Sequence, residues 1–143
     1  MQVIAYAVYL IALTICGVAM WKGDRPLKLA AVALIVGWTL SAVTGHRDKY
    51  GMNYPVTILD TNCALLFVWI SVRWRRIWCA VLAALTIVEI VIPLVAYFDR
   101  DIHRYNQMAS NNIVATLQLV VMIVAIQQTF RARRRADEGV VRN

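Results

Sequence analysis

Thr86-Ile87-Val88-Glu89-Ile90-Val91-Ile92-Pro93 places one carboxylate in the middle of an apolar run, Ile77 to Phe98, that is long enough to cross a membrane. Pro93 follows Glu89 by four residues. A proline there cannot donate to the Glu89 carbonyl, so a helix through this run is expected to kink at its acidic side chain. An ionisable group in hydrocarbon is costly and requires a partner, water or neutralisation. The rest of the chain bears on which of these Glu89 has.

The surrounding composition has the same character. Of 143 residues, 61% are apolar and 16% charged. Soluble domains are nearer half apolar and a quarter charged. The apolar excess lies in runs of about 17 to 22 residues, the length a helix needs to cross about 30 Å of hydrocarbon. The expected fold is therefore all-α: a single polytopic membrane bundle of five transmembrane helices, over about 3–20, 27–43, 56–72, 77–98 and 111–130. A basic tail over 131–143 follows. The net charge of +7 does not point to nucleic acid, because the basic residues cluster at the ends of apolar runs. Cys16, Cys63 and Cys79 form no C-x-x-C pair. They read as small packing residues rather than a disulfide framework or a zinc site.

Each segment carries a face. The first has no basic stretch before it, and Lys22 and Arg25 follow it, so it reads as a retained helix and not a signal peptide. In the second, Ala30, Ala33, Gly37, Ser41 and Thr44 recur at helical spacing, a small-residue stripe that lets backbones approach closely. The third places Thr57, Asp60, Cys63, Ala64, Phe67 and Ser71 on one face, with Asn62 about 200° round from Asp60. The fourth aligns Thr86, Glu89, Pro93 and Ala96. The fifth aligns Asn111, Ala115, Gln118, Met122, Ala125 and Thr129, with Ser110 as a candidate cap.

The basic residues set the topology. Lys22, Arg25 and Lys28 follow segment one; Arg73, Arg75 and Arg76 follow segment three; Arg131, Arg133, Arg134, Arg135 and Arg142 follow segment five. These eleven outnumber the four in the alternate loops, Arg47, Lys49, Arg100 and Arg104. With five helices the two sets fall on opposite sides. The positive-inside rule then puts the N-terminus outside and the C-terminus in the cytoplasm. At 1.5 Å per residue, Asp60 lies about 6 Å and Glu89 about 13 Å below the outer surface. Asn112 and Gln118 on segment five and Ser41 on segment two fall in the same outer half. Thr86, Ser41, Asp60, Glu89, Asn112 and Gln118 are the candidate polar site.

That set has a functional and a structural reading. Two carboxylates in a low-dielectric bundle could exchange protons or hold a cation. Alternatively Glu89 is hydrogen-bonded to Gln118, Thr86 or a partner chain and locks helices together. No basic residue lies near either acid at membrane depth, which disfavours an ion pair within the chain. His46 and His103 belong to outer loops, not to helices as haem ligands usually do. No cofactor and no metal is expected. The sequence has no Ser/His/Asp arrangement, Gly-rich phosphate loop or nucleotide motif, so it is not expected to be an enzyme; His46, Asp48 and Tyr50 would be the most plausible seat of one. The arginines of the turns and tail suffice as topology determinants and can also engage anionic lipid.

Tyr54-Pro55, Ile58-Leu59-Asp60, Ala64-Leu65-Leu66 and the turn from Arg73 to Trp78 together resemble a group of small uncharacterised bacterial inner-membrane proteins. They have an aspartate early in a helix before a short basic-aromatic turn. The resemblance covers about a third of the chain. It implies a bacterial inner membrane, singles out Asp60 and carries no activity. The expected function is association within the bilayer, as a homo-oligomer or an accessory subunit of a membrane complex. Two alternatives are a holin-like pore or defence effector, and a small proton- or cation-linked carrier or channel using Asp60 and Glu89.

Overall fold

The computed structural model describes residues 2–44, 53–98 and 104–141. These form five helices and no strand: α1 (Gln2–Lys22), α2 (Arg25–Val43), α3 (Tyr54–Trp74), α4 (Ile77–Phe98) and α5 (Arg104–Val141). Three are long and apolar enough to cross a membrane: α3, α4 and the Ala109–Ala136 stretch of α5. Within α1, the described apolar stretch is the shorter Tyr9–Lys22.

The connections explain where the helices stop. The Gly23 N–H bonds to the Ala19 carbonyl at 2.9 Å, and a Cβ on Gly23 would collide with that same oxygen. Only glycine fits there, and α1 ends. Asp24 then caps α2, its Oδ1 accepting from the Leu27 N–H at 3.3 Å, with proline in the first turn. Asn53 caps α3 through the Val56 N–H. Its Nδ2 also donates to the Thr44 carbonyl at 2.9 Å, tying the start of α3 to the end of α2.

Between α3 and α4 the chain reverses in two residues. Arg75 adopts the left-handed region at φ 51, and the Arg76 N–H reaches back to the Ser71 carbonyl at 3.2 Å. Orphan carbonyls at a helix end are thereby satisfied, at a position that glycine usually fills.

The helices pack as a closed ring: each contacts the next in sequence, and α5 returns to α1. This up-and-down order gathers the turn after α1, the turn after α3 and the C-terminal part of α5 at one end. Arg76 Nη2 bonds Asp24 Oδ2 at 2.9 Å, and Arg133 Nη2 donates to the Gly23 carbonyl at 3.4 Å. The three basic segments thus meet at Gly23 and Asp24.

The apolar core lies in that same half. Cys16, Ala19, Leu27, Leu34, Phe67, Ile70, Leu82, Met122 and Ala125 are all members of one buried cluster. The small-residue stripe of α2 packs inward. Ala30 is fully buried, and a Cβ on Gly37 would stand 3.6 Å from the Cys63 sulfur of α3. Burial of Cys16 and Cys79 in the core matches their reading as packing residues.

Two expectations differ at the edges. The fifth helix extends beyond 111–130 at both ends: α5 is 38 residues long and runs unbroken through Arg131–Arg135, so the basic segment continues the helix. Alanine, arginine, glutamine and glutamate are good helix formers, and neither Gly nor Pro intervenes before Gly139. At 1.5 Å per residue this helix measures about 57 Å, well beyond a hydrocarbon core of about 30 Å. Because it begins at Arg104, Ser110 lies inside it and is not its cap. Pro93 lies inside α4, which runs from Ile77 to Phe98, the bounds expected of the fourth segment.

Asp24 serves both as a cap and as an ionic partner, and two substitutions separate these roles. Asp24→Asn keeps a capping side chain and deletes the charge; it is expected to cost less than about 1 kcal/mol, since the bridge is partly exposed. Asp24→Ala loses both and is expected to cost about 1–2 kcal/mol. Thermal unfolding in mild detergent would give the order.

Candidate functional site

Thr86 and Glu89 sit one turn apart on α4, and antiparallel packing sets Gln118 of α5 beside them. Gln118 is completely buried and Thr86 nearly so, at 0% and 2% exposure. Gln118 Nε2 donates to Glu89 Oε2 at 2.8 Å and to Thr86 Oγ1 at 3.4 Å. The Thr86 hydroxyl donates in turn to the Leu82 carbonyl at 2.9 Å. Its proton is therefore committed, and its oxygen is free to accept. Both amide hydrogens of Gln118 thus face acceptors on α4. Pro93, one turn beyond, has no N–H, so the Glu89 carbonyl lacks its usual donor.

The other side of the amide is different. Gln118 Oε1 is buried and has no hydrogen-bond partner among the described residues. Two turns before it, Asn111 Oδ1 is likewise buried and unpartnered among those residues. Buried polar atoms are normally paired, so these two acceptors mark where a water or a donor from another molecule fits.

Asp60 of α3 is half-buried and within electrostatic range of Glu89 and of the Cys63 thiol. Cys63 itself points its sulfur toward the Ala33 carbonyl of α2 at 3.8 Å. The structure therefore brings Thr86, Glu89 and Gln118 into direct contact, with Asp60 in the same neighbourhood. Ser41 is half-buried on α2. Asn112 is exposed; of the two adjacent asparagines it is Asn111 whose side-chain oxygen turns into the protein.

The arginines fall into two groups. Arg76 is engaged with Asp24, Arg133 with Gly23, and Arg73 lies over the Trp74 ring at 5.8 Å. Arg75, Arg131, Arg134 and Arg135 are exposed. His46, Asp48, Tyr50 and His103 lie outside the described residues.

One polar residue was passed over by the stripe reading. Asn62 is exposed near the middle of α3, its Nδ2 bonded to the Ile58 carbonyl of its own helix at 2.8 Å. Its neighbour Thr61 is also exposed and bonds the Thr57 carbonyl at 2.7 Å. An amide within an apolar run was the available signal.

Chemically, the Glu89–Gln118–Thr86 network is a cross-brace: an acid, an amide and a hydroxyl joining two helices that are each long and apolar enough to cross a membrane. It also presents unused acceptors on Glu89 and Gln118 with Asp60 close by. Comparison with protein-family models, with curated proteins and with solved structures returns no match to this chain.

If the network braces α4 to α5, Glu89 and Gln118 are energetically coupled. A double-mutant cycle of Glu89→Leu and Gln118→Leu, read by unfolding in mixed micelles, is expected to give about 0.6–1.7 kcal/mol, the range of hydrogen bonds between membrane helices. Glu89→Gln, which retains an acceptor for Gln118 Nε2, is expected to keep most of it.

Proposed function

We propose that the chain is a five-span integral protein of a bacterial cytoplasmic membrane, N-terminus outside and C-terminus inside, and that it works by associating with other membrane proteins, first of all a second copy of itself. The observation that carries this reading is the outer face of α3. Ile58, Thr61, Asn62, Leu65, Trp69 and Val72 recur at spacings of three, four and seven residues, the pattern of a helix-pairing seam. All six are exposed, with Ile58 and Leu65 each at 63%. Of the three apolar spans, α3 is the least covered by its own chain, with 17% of its window buried.

Leucine or isoleucine facing lipid needs no explanation. An amide does. Asn62 stands eight residues into α3, about 12 Å along the axis at 1.5 Å per residue. Only Ile58 of its own helix occupies one of its donors. Hydrocarbon offers nothing to the remaining donor or to the oxygen, whereas an amide on a neighbouring helix satisfies both. Paired about a two-fold axis, two copies of Asn62 can each donate to the other. The positive-inside asymmetry supports the orientation, and the resemblance of the α3 region supports the compartment.

Association through α3 has a direct test. In a background with Cys16, Cys63 and Cys79 replaced by alanine, Asn62→Cys is expected to cross-link to a dimer in native membranes. Val88→Cys, on the lipid side of α4, is expected not to. Asn62→Leu is expected to shift the wild-type chain toward monomer in native mass spectrometry. A wild-type chain that is only ever a lone monomer, with no co-purifying protein, contradicts the reading.

A further inference from the structure

A groove of about 420 Å³ opens between the start of α4 and the middle of α5. It is separate from the acid–amide network and from the α3 seam. Arg75, Arg76 and Gln128 are among its lining residues, with Val81, Val120 and Val124 along its walls. The antiparallel pairing that sets Gln118 against Thr86 and Glu89 places Gln128 level with the first turn of α4. The two arginines and the glutamine therefore cluster at one end, and the valines run from there toward the middle of the helices. From Gln128 to Val120 is eight residues, about 12 Å along the axis.

This is an amphipathic slot with a cationic mouth. The walls are too apolar for a sugar or a nucleotide. Val81, Val120 and Val124 are each 42–50% exposed, so the slot is open to whatever surrounds the helices. The mouth is positive by construction: it sits where the three basic segments meet, and Arg76 is turned from it in part by Asp24. Arg75 stands at this mouth on a left-handed backbone at φ 51. The charge and the apolar walls select one chemistry: an anion joined directly to a hydrocarbon chain.

We infer that the α4–α5 groove is a site for an anionic glycerophospholipid, with its phosphate on Arg75 and Arg76, Gln128 donating to a headgroup or ester oxygen, and one acyl chain along Val81, Val120 and Val124. Basic pockets between helices at the cytoplasmic end hold such headgroups by charge-assisted hydrogen bonds. This rests on the reading that α4 and α5 span the bilayer, and it adds a chosen lipid to it. Arg75 supplies selectivity for the anion, and the valine walls supply the affinity common to any acyl chain.

The test uses the full chain in mild detergent, delipidated and titrated with phosphatidylglycerol or phosphatidylcholine of identical acyl chains, with adducts read by native mass spectrometry. Phosphatidylglycerol is expected to bind more tightly than phosphatidylcholine. Arg75→Ala, which leaves the Asp24–Arg76 bridge in place, is expected to weaken it about fivefold, the scale of one basic residue at a membrane surface. Val124→Trp, which fills the slot without touching its charge, is expected to weaken both lipids, and inorganic phosphate at millimolar concentration is expected not to compete. Equal binding of the two lipids, indifference to both substitutions, or displacement by inorganic phosphate overturns the site. If the chain instead stays dispersed without detergent, the membrane reading itself fails, and the two failures are distinguishable.

Discussion

Gln118 is the residue the bundle is built around. A completely buried amide between two apolar helices is tolerable only if its hydrogens are used, and both are, on Glu89 and Thr86. That requirement fixes the rotation of α4 and α5 and their relative height. Sliding one helix by a turn would strand an amide and a carboxyl group in a place where water is scarce. With α4 and α5 registered, the remaining helices follow. The two-residue turn at Arg75–Arg76 hangs α3 on α4, Asn53 hangs α3 on α2, and Asp24 draws the α1–α2 turn onto Arg76.

The molecule is consequently unequal along its length. Around the basic turns the interior is continuous and apolar, from Cys16 through Phe67 to Met122. Toward the other end come Thr86, Glu89, Gln118, the Asp60 neighbourhood and the Asn111 oxygen, which has no partner among the described residues. The packed half provides rigidity and a charged rim; the polar half provides unsatisfied acceptors. The two halves are thus chemically distinct, with guanidinium groups at one end and amide and carboxyl groups toward the other.

Much of this was readable before any coordinates. Five apolar runs punctuated by charge predict five helices because the hydrocarbon thickness sets a length and charge sets the ends. The stripes of α2 and α5 predict inward faces, and Gln118, Met122, Ala125 and Thr129 are buried as that spacing requires. The partnership of Glu89 with Gln118 was among the expected alternatives, since two polar groups at similar depth on adjacent helices leave each other little choice. What the residues did not reveal depends on geometry beyond periodicity. The arginine run after Phe130 has the composition of a solvated tail and of an exposed helix alike, and here it is helix. The left-handed Arg75 breaks the rule that glycine or asparagine ends such a turn. Asn112 and Asn111 differ by 100° around one helix, enough to send one side chain outward and the other inward, and no stripe decides between adjacent positions at a helix edge. Asn62 was legible as a polar residue about 200° round from Asp60, but helical spacing alone says nothing of what an outward amide meets.

The central claim is that the turns after α1 and α3 lie together on the cytoplasmic side of a membrane, with the start of α3 on the other. Single cysteines in a background lacking Cys16, Cys63 and Cys79, labelled in intact cells by a membrane-impermeant maleimide, test it most directly. Lys22→Cys and Arg75→Cys are predicted to react only after the membrane is opened, and Tyr54→Cys to react from outside without opening it. Labelling of Lys22→Cys and Arg75→Cys from opposite sides, or of Arg75→Cys and Tyr54→Cys from the same side, would contradict the account.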